Sequence, residues 1–205
     1  MLIGLGYKKR SGKDTVGTML SNMYGFQILS FAQPLKELCS LMVEKYKGSR
    51  TFTEYAAQVS AWADRYGLHK KHYIYDKILN MDIPSEWFVP DGTGKYRELL
   101  QKVGTEVIRN SYSPTFWIDA LALQMAKYKD CVITDVRFPN EKDFVEGCGY
   151  AVLVDRDTGL QDTHCSEKAL DGAEWSYIID NNGDKGMLRE QVSDLYGELL
   201  IAERN

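Results

Sequence analysis

Gly6–Thr15, read as GYKKRSGKDT, comes close to the phosphate-binding pattern G-x-x-x-x-G-K-[ST]. Two positions depart from it: Tyr7 stands where the pattern has its first glycine, and Asp14 where it has a hydroxyl. Tyr7 is compatible with such a loop if the chain turns there with a negative φ, or if Gly6 takes the special conformation one residue earlier. A carboxylate at Asp14 can bind Mg²⁺ but brings negative charge near phosphates, and Thr15 offers a hydroxyl one place on. The other residues suit a phosphate chain. Gly12 lets the backbone approach closely, Lys13 is a point charge able to reach two phosphates, and Lys8, Lys9 and Arg10, with Ser11 beside them, add positive potential around the same concavity. The bland alternative is a solvated basic turn with a chance Gly-Lys pair. The loop's place directly after the first apolar run weighs against that.

Further candidates lie downstream. Asp135 ends an apolar run and is placed to hold Mg²⁺ directly or through water. Arg137, two residues on, either bridges donor and acceptor phosphates or pairs with Glu141 or Asp143. Arg97, Gln101, Thr105 and Arg109 are spaced four apart on one helix face. On a 3.6-residue helix they drift about 40° per step, so the four do not meet one small ligand equally. Trp117 or Tyr112 could stack on a base or crowd a sugar, and either could equally be core. His69 and His72 share a helical turn without an obvious third ligand, so surface histidines are the better reading. The polar segment 156–172 falls where a closing lid would, with Arg156 as its arginine. HCSE at His164–Glu167 within it also reads as a helix start capped by Ser166 or Thr163.

Placing these residues requires alternating strands and helices. Leu2–Leu5 reads as a strand, Val16, Met19, Leu20 and Met23 as a helix face, Phe26–Phe31 as a strand, and Leu35–Tyr46 as a helix opened by Pro34. Cys131–Val136 and Tyr150–Asp155 read as buried-type strands, Tyr177–Asp180 as an edge strand, and Leu188–Leu199 as a last helix after NNGDKG. The alternation predicts an α/β fold with a parallel sheet flanked by helices. Between residues 47 and 94 it stops and aromatics become dense, which predicts an inserted, mainly helical lobe with a helix through Tyr55, Val59, Trp62 and Tyr66. Helices from Tyr96 to about Asn110 and from Pro114 to Ala126 follow.

Composition narrows the class. A chain of 205 residues fits one domain with an inserted lobe, and its net charge of -4 argues against duplex nucleic acid as the main partner. No apolar run approaches the ~20 residues that span a bilayer, and MLIGLGYKKR lacks the order of a secretory signal, so a cytoplasmic protein is expected. The four cysteines are far apart, which predicts free thiols.

KRSGKDT, with aspartate after the lysine, resembles the nucleotide loop of phage-type deoxynucleoside monophosphate kinases, within the P-loop nucleoside monophosphate kinase superfamily. A similar loop occurs in animal phosphomevalonate kinases. The blocks SFAQPLKE (Ser30–Glu37), RELLQKVGTEVIR (Arg97–Arg109), FWIDAL (Phe116–Leu121) and VITDVRFPNE (Val132–Glu141) extend the resemblance over nearly the whole chain apart from the aromatic lobe and the last helix. HCSE is a weaker match. The family more often has glycine or another small residue near Tyr7.

The resemblance implies a P-loop NTPase fold and ATP- and Mg²⁺-dependent phosphorylation of deoxynucleoside 5′-monophosphates. It implies Lys13, Arg10, Arg137 and Asp135 as catalytic residues, and Lys9, Ser11, Gly12, Lys13, Asp14, Thr15 and Arg156 around the donor. Asp14, Thr15 and Asp135 would attend the metal. Arg97 and Gln101 would take the acceptor, supported by Glu106 and Arg109, with Lys36 as a further phosphate contact and Tyr112 or Trp117 near the base. A homodimer in the host cytoplasm, without stable nucleic-acid or membrane partners, is part of the same expectation. No general base is conspicuous, and a monophosphate with its second pKa near about 6 needs none. A phosphomevalonate or dephospho-coenzyme A kinase is the alternative enzyme, the latter using Asp135 as base. A non-catalytic nucleotide- or nucleic-acid-binding module is the alternative from another class.

Overall fold

The computed structural model of the chain describes residues 1–6, 8–88, 95–159 and 168–204. Tyr7, residues 89–94, and residues 160–167 of the expected 156–172 lid, the HCSE block among them, lie outside the described residues. The chain divides into two compact units, Met1–Ser30 with Met125–Asn205, and Phe31–Gln124.

The first unit is built on five parallel strands, β1 (Leu2–Gly6), β2 (Gln27–Leu29), β3 (Cys131–Val136), β4 (Tyr150–Asp155) and β5 (Tyr177–Asp180), in the order β2-β3-β1-β4-β5. Parallel neighbours need crossover connections, which is why helices separate most of these strands in sequence. Ile3 and Leu5 alternate with Leu2 and Gly4 along β1. The first pair joins Val132, Val152, Val154 and Ile179 under helices α1 (Lys13–Tyr24) and α8 (Lys185–Ala202), through Val16, Leu20, Leu188 and Val192. β2 is shorter than Phe26–Phe31 because it is an edge strand with Gln27 and Ile28 in solvent, while Phe26 turns into the core.

The second unit is helical: α2 (Gln33–Tyr46), α3 (Phe52–Tyr66), α4 (Tyr73–Asn80), α5 (Lys95–Gln101) and α6 (Phe116–Met125), whose last residue already belongs to the first unit. Its core gathers Leu38 and Met42 of α2 with Tyr55, Val59 and Trp62 of α3, Ile74 and Ile78 of α4, and Leu99 of α5. Each such side chain contributes roughly 1.5–3 kcal/mol by leaving water. Because α2 and α5 share that core, this unit extends beyond the 47–94 lobe on both sides. The Trp62 indole donates to the Pro34 carbonyl at 2.8 Å and ties α3 to the start of α2. Of the aromatics, Tyr55, Trp62 and Tyr66 are buried, whereas Phe52 and Tyr73 are more than half exposed.

The helix expected from Tyr96 to Asn110 changes its winding midway. After Gln101 it continues over Lys102–Arg109 as a wide helix, and Asn110 N–H reaches back five residues to Thr105 O at 2.8 Å. An i→i+5 helix takes about 4.4 residues per turn, so residues four apart fall about 30° short of a turn instead of overshooting it by about 40°. The drift of the polar stripe therefore reverses after Gln101, and Arg97, Gln101, Thr105 and Arg109 stay within about 70° of one another. This corrects the divergence expected of a uniform α-helix. All four are half-buried, and Glu106 is exposed.

No helix among the described residues is long and apolar enough to cross a membrane. Cys39, Cys131 and Cys148 are free thiols, and burial raises the pKa of Cys39 and of Cys131 above the ordinary thiol value.

Candidate active site

In the sheet unit the phosphate loop leaves β1 at Gly6 and enters α1 at Lys13. Gly6 keeps strand geometry. The left-handed conformations lie further on, at Arg10 with φ 62° and Gly12 with φ 104°, so Gly6 does not take over the turn. The absence of a side chain at Gly6 serves another purpose: a Cβ there would lie 2.0 Å from the Trp175 ring, which packs against the base of the loop. Gly12 precedes α1, and no side chain caps the helix. Val16 N–H makes the first intrahelical bond, to Gly12 O at 3.0 Å, leaving the opening turn as a site for an anion at the positive helix end.

Lys13 is 6% exposed, and the loop folds around its ammonium, which donates to Lys8 O and lies 3.5 Å from Ser11 Oγ. Lys8, Lys9 and Arg10 are exposed, and Lys8 pairs with Asp171 at 3.0 Å. Asp14 is exposed and Thr15 half-buried in the first turn of α1.

Strand register brings further candidates to the carboxyl end of the sheet. Gly6 pairs with Val136 of β3 on one side and Leu153 of β4 on the other, which sets Asp135 and Arg137 on one flank of the loop's strand and Arg156 on the other. Asp135 accepts from Ser30 Oγ at 2.7 Å, so the end of β2 orients the carboxylate. Glu141, 3% exposed, accepts from the backbone N–H of Arg137 and Phe138 at 2.9 and 3.2 Å and so caps α7 (Pro139–Cys148). A cavity of about 250 Å³ beside the loop is lined by Lys8, Asp155, Arg156, Leu170 and Trp175.

The helical unit carries the remaining candidates. Lys36 is exposed on α2, and Arg97, Gln101, Thr105 and Arg109 share the polar strip. Trp117, 4% exposed, donates its indole N–H to Gly104 O at 3.1 Å and so braces the wide helix from within. Gly104 also faces α2 closely, since a Cβ there would lie 2.6 Å from Leu35 Cδ2. Tyr112 accepts the backbone N–H of His69 at 3.1 Å and packs on Phe116 and His72. Trp117 and Tyr112 are thus both engaged in supporting contacts within their unit. His69 and His72 each accept from a backbone N–H two residues ahead, and no group of three or more His, Cys, Asp or Glu side chains placed to hold a metal ion occurs among the described residues.

Three further residues around the loop carry little signal in the sequence. Ser30 sits in the quoted SFAQPLKE block without an assigned role, Trp175 has no motif, and Asn181 lies in the NNGD run read only as a break. Asn181 is 7% exposed and donates to Ser11 O at 2.7 Å. Only the run of polar residues directly after an edge strand gave a sequence signal for it.

Residues 64–192 match the family model described as deoxynucleotide monophosphate kinase. A protein of Acanthamoeba polyphaga mimivirus, whose name places it provisionally among these kinases, is 30% identical over 100% of this chain and 97% of its own. The deoxynucleoside-5′-monophosphate kinase of Escherichia phage T5 is 31% identical over 71% of each chain. The deoxynucleotide monophosphate kinase of Enterobacteria phage T4 is 26% identical over 62% of this chain and 52% of its own. Phosphate loop, parallel sheet and family match agree, and the chain belongs to the deoxynucleotide monophosphate kinase family.

Proposed function

We infer that this chain transfers the γ-phosphoryl group of ATP to a deoxynucleoside 5′-monophosphate, giving the diphosphate, with Mg²⁺. The observation that carries the reading is the loop closed around the Lys13 ammonium at the uncapped start of α1. Backbone amides there and the Lys13 charge would hold the donor phosphates, with Arg10, Lys9 and Ser11 beside them. Thr15, Asp14 and Asp135 supply hard oxygen donors of the kind Mg²⁺ takes, one or two at a time alongside phosphate and water. When bound, Mg²⁺ neutralises charge on the transferring phosphates. Ser30 fixes the orientation of Asp135. Arg137 would reach the phosphoryl group in transfer, and Arg156, at the rim of the cavity beside the loop, would attend the donor nucleoside.

Arg97, Gln101 and Arg109 would take the acceptor, with Thr105 between them on the wide helix, Glu106 and Lys36 in support, and Trp117 and Tyr112 holding the helical unit in shape. The acceptor oxygen arrives ionised, so positioning and charge stabilisation suffice without a general base. A homodimer in the cytoplasm completes the reading, and sedimentation velocity of the purified chain tests the dimer.

The deciding experiment is ATP turnover, by coupled assay, with four deoxy monophosphates, their ribose counterparts, phosphomevalonate and dephospho-coenzyme A. Turnover with at least one deoxy monophosphate and none with the last two is expected. Turnover confined to either of the last two, or none with any acceptor, overturns the reading.

A further inference from the structure

We propose that Asn181 is a positioning residue for the donor loop, which it aligns from the end of β5; this rests on the reading of Gly6–Thr15 as the ATP site. The Asn181 side-chain amide donates to Ser11 O at 2.7 Å from a site 7% exposed. Its nitrogen also lies under Gly12, where a Cβ would stand 2.1 Å away. In a trans peptide the C=O and the following N–H point in opposite directions. Holding the Ser11 carbonyl toward β5 therefore turns the Gly12 N–H to the other side of the peptide plane and keeps the loop from flipping that amide inward.

The strut has a fixed base. Asn181 N–H donates to Asp155 O at 2.7 Å, continuing the β4–β5 pairing by one residue. Asp180 is held from both sides by Gln191, which accepts its N–H at 2.8 Å and donates to its carbonyl at 2.7 Å. Asn182 extends the arrangement by accepting Asp157 N–H at 2.8 Å, just beyond Arg156. Together with Trp175 under Gly6, the segment 175–182 braces both ends of the phosphate loop. Buried amides keep their partners because an unmatched one is costly, so the contact is a persistent restraint on the loop.

The test compares Asn181→Leu and the near-isosteric Asn181→Asp with the unaltered chain. The readouts are affinity for a non-hydrolysable ATP analogue, affinity for a deoxy monophosphate, steady-state KM for each substrate, and thermal melting. At least tenfold weaker analogue binding and a matching rise in KM for ATP are expected, with acceptor affinity within twofold and melting transitions retained. Analogue affinity within twofold of the unaltered protein in a folded variant overturns the proposal. So does collapse of the melting transition in both variants, since Asn181 would then be a residue of the fold. If no acceptor is turned over by the unaltered chain, analogue binding alone still decides the role of Asn181, which keeps this test distinct from that of the reaction.

Discussion

In the sheet unit, Lys13, Asp14 and Thr15 follow one another at a strand-to-helix turn, and their directions are set by a few backbone torsions, chiefly the left-handed Arg10 and Gly12. In the helical unit, Arg97, Gln101, Thr105 and Arg109 stand four apart, and their common direction depends on a change of winding. That winding accompanies contacts far off in sequence, Leu35 against Gly104 and the Trp117 indole on the Gly104 carbonyl. A loop of this kind carries most of its geometry in its own residues. A helix face carries its residues in the sequence and its geometry in the packing behind it.

The local geometry of the loop bears most directly on Lys13. Lys13→Met should lower kcat by about 10³-fold, because the charge on the transferring group loses its main ammonium partner. Melting should stay within a few degrees, since the ammonium's bonds to Lys8 O and Ser11 Oγ lie within the loop itself. Retention of more than a tenth of the activity, by coupled assay, would remove the loop from the chemistry. Next in size, Arg97→Met should raise KM for the acceptor about 10- to 100-fold through loss of a charge-assisted contact, with KM for ATP little changed. Arg97→Lys should recover only part, as an ammonium cannot reproduce the guanidinium fork. Equal changes in both KM values would mean the strip serves no acceptor.

A smaller effect probes the packing behind the strip. Trp117→Phe keeps a ring in the core but leaves Gly104 O without its 3.1 Å donor. The cost should be about 1–3 kcal/mol, a fall of about 2–4 °C in melting temperature for each kcal/mol. If the winding depends on that bond, KM for the acceptor rises several-fold as well. A stability loss with an unchanged acceptor KM would show that the polar strip holds its direction without the indole.

The same division decides what could be read from the sequence. β3 and β4 fall at Cys131–Val136 and Tyr150–Asp155, as their apolar runs predict, because a buried parallel strand declares itself by composition, and β5 at Tyr177–Asp180 is the edge strand expected there. The phosphate loop was legible for the same local reason. The extent of the helical unit was not, since the core shared by α2, α3 and α5 joins segments that only folding brings together. α4 and α7 show in the sequence only by their starts at His72 and Pro139, α4 being short and α7 lacking a strong apolar stripe. Trp117 offered two roles in sequence, and its indole bond to Gly104 was invisible there. The props Ser30 and Asn181 were illegible because their partners, Asp135 and Ser11, lie far along the chain.

The smallest expected effect asks whether the helical unit also contains geometry written locally. The start of α3 is a capping box: Glu54 N–H donates to Thr51 Oγ1 at 3.3 Å, while the Glu54 carboxylate accepts Thr51 N–H at 2.8 Å and its hydroxyl at 2.9 Å. The backbone N–H of Thr51, and then its hydroxyl, hold the Glu54 carboxyl below its ordinary range. A carboxyl depressed in the folded state stabilises that state above the unfolded pKa of about 4.3, and the contribution disappears as pH falls through the folded value. Denaturant midpoints should therefore favour the unaltered chain over Glu54→Gln at pH 7 and converge with it well below pH ~4. A difference that persists unchanged into acid would assign the cap to neutral hydrogen bonding. No difference at any pH would mean that tertiary packing alone fixes where α3 begins, which would place its start with the polar strip as geometry the sequence does not carry by itself.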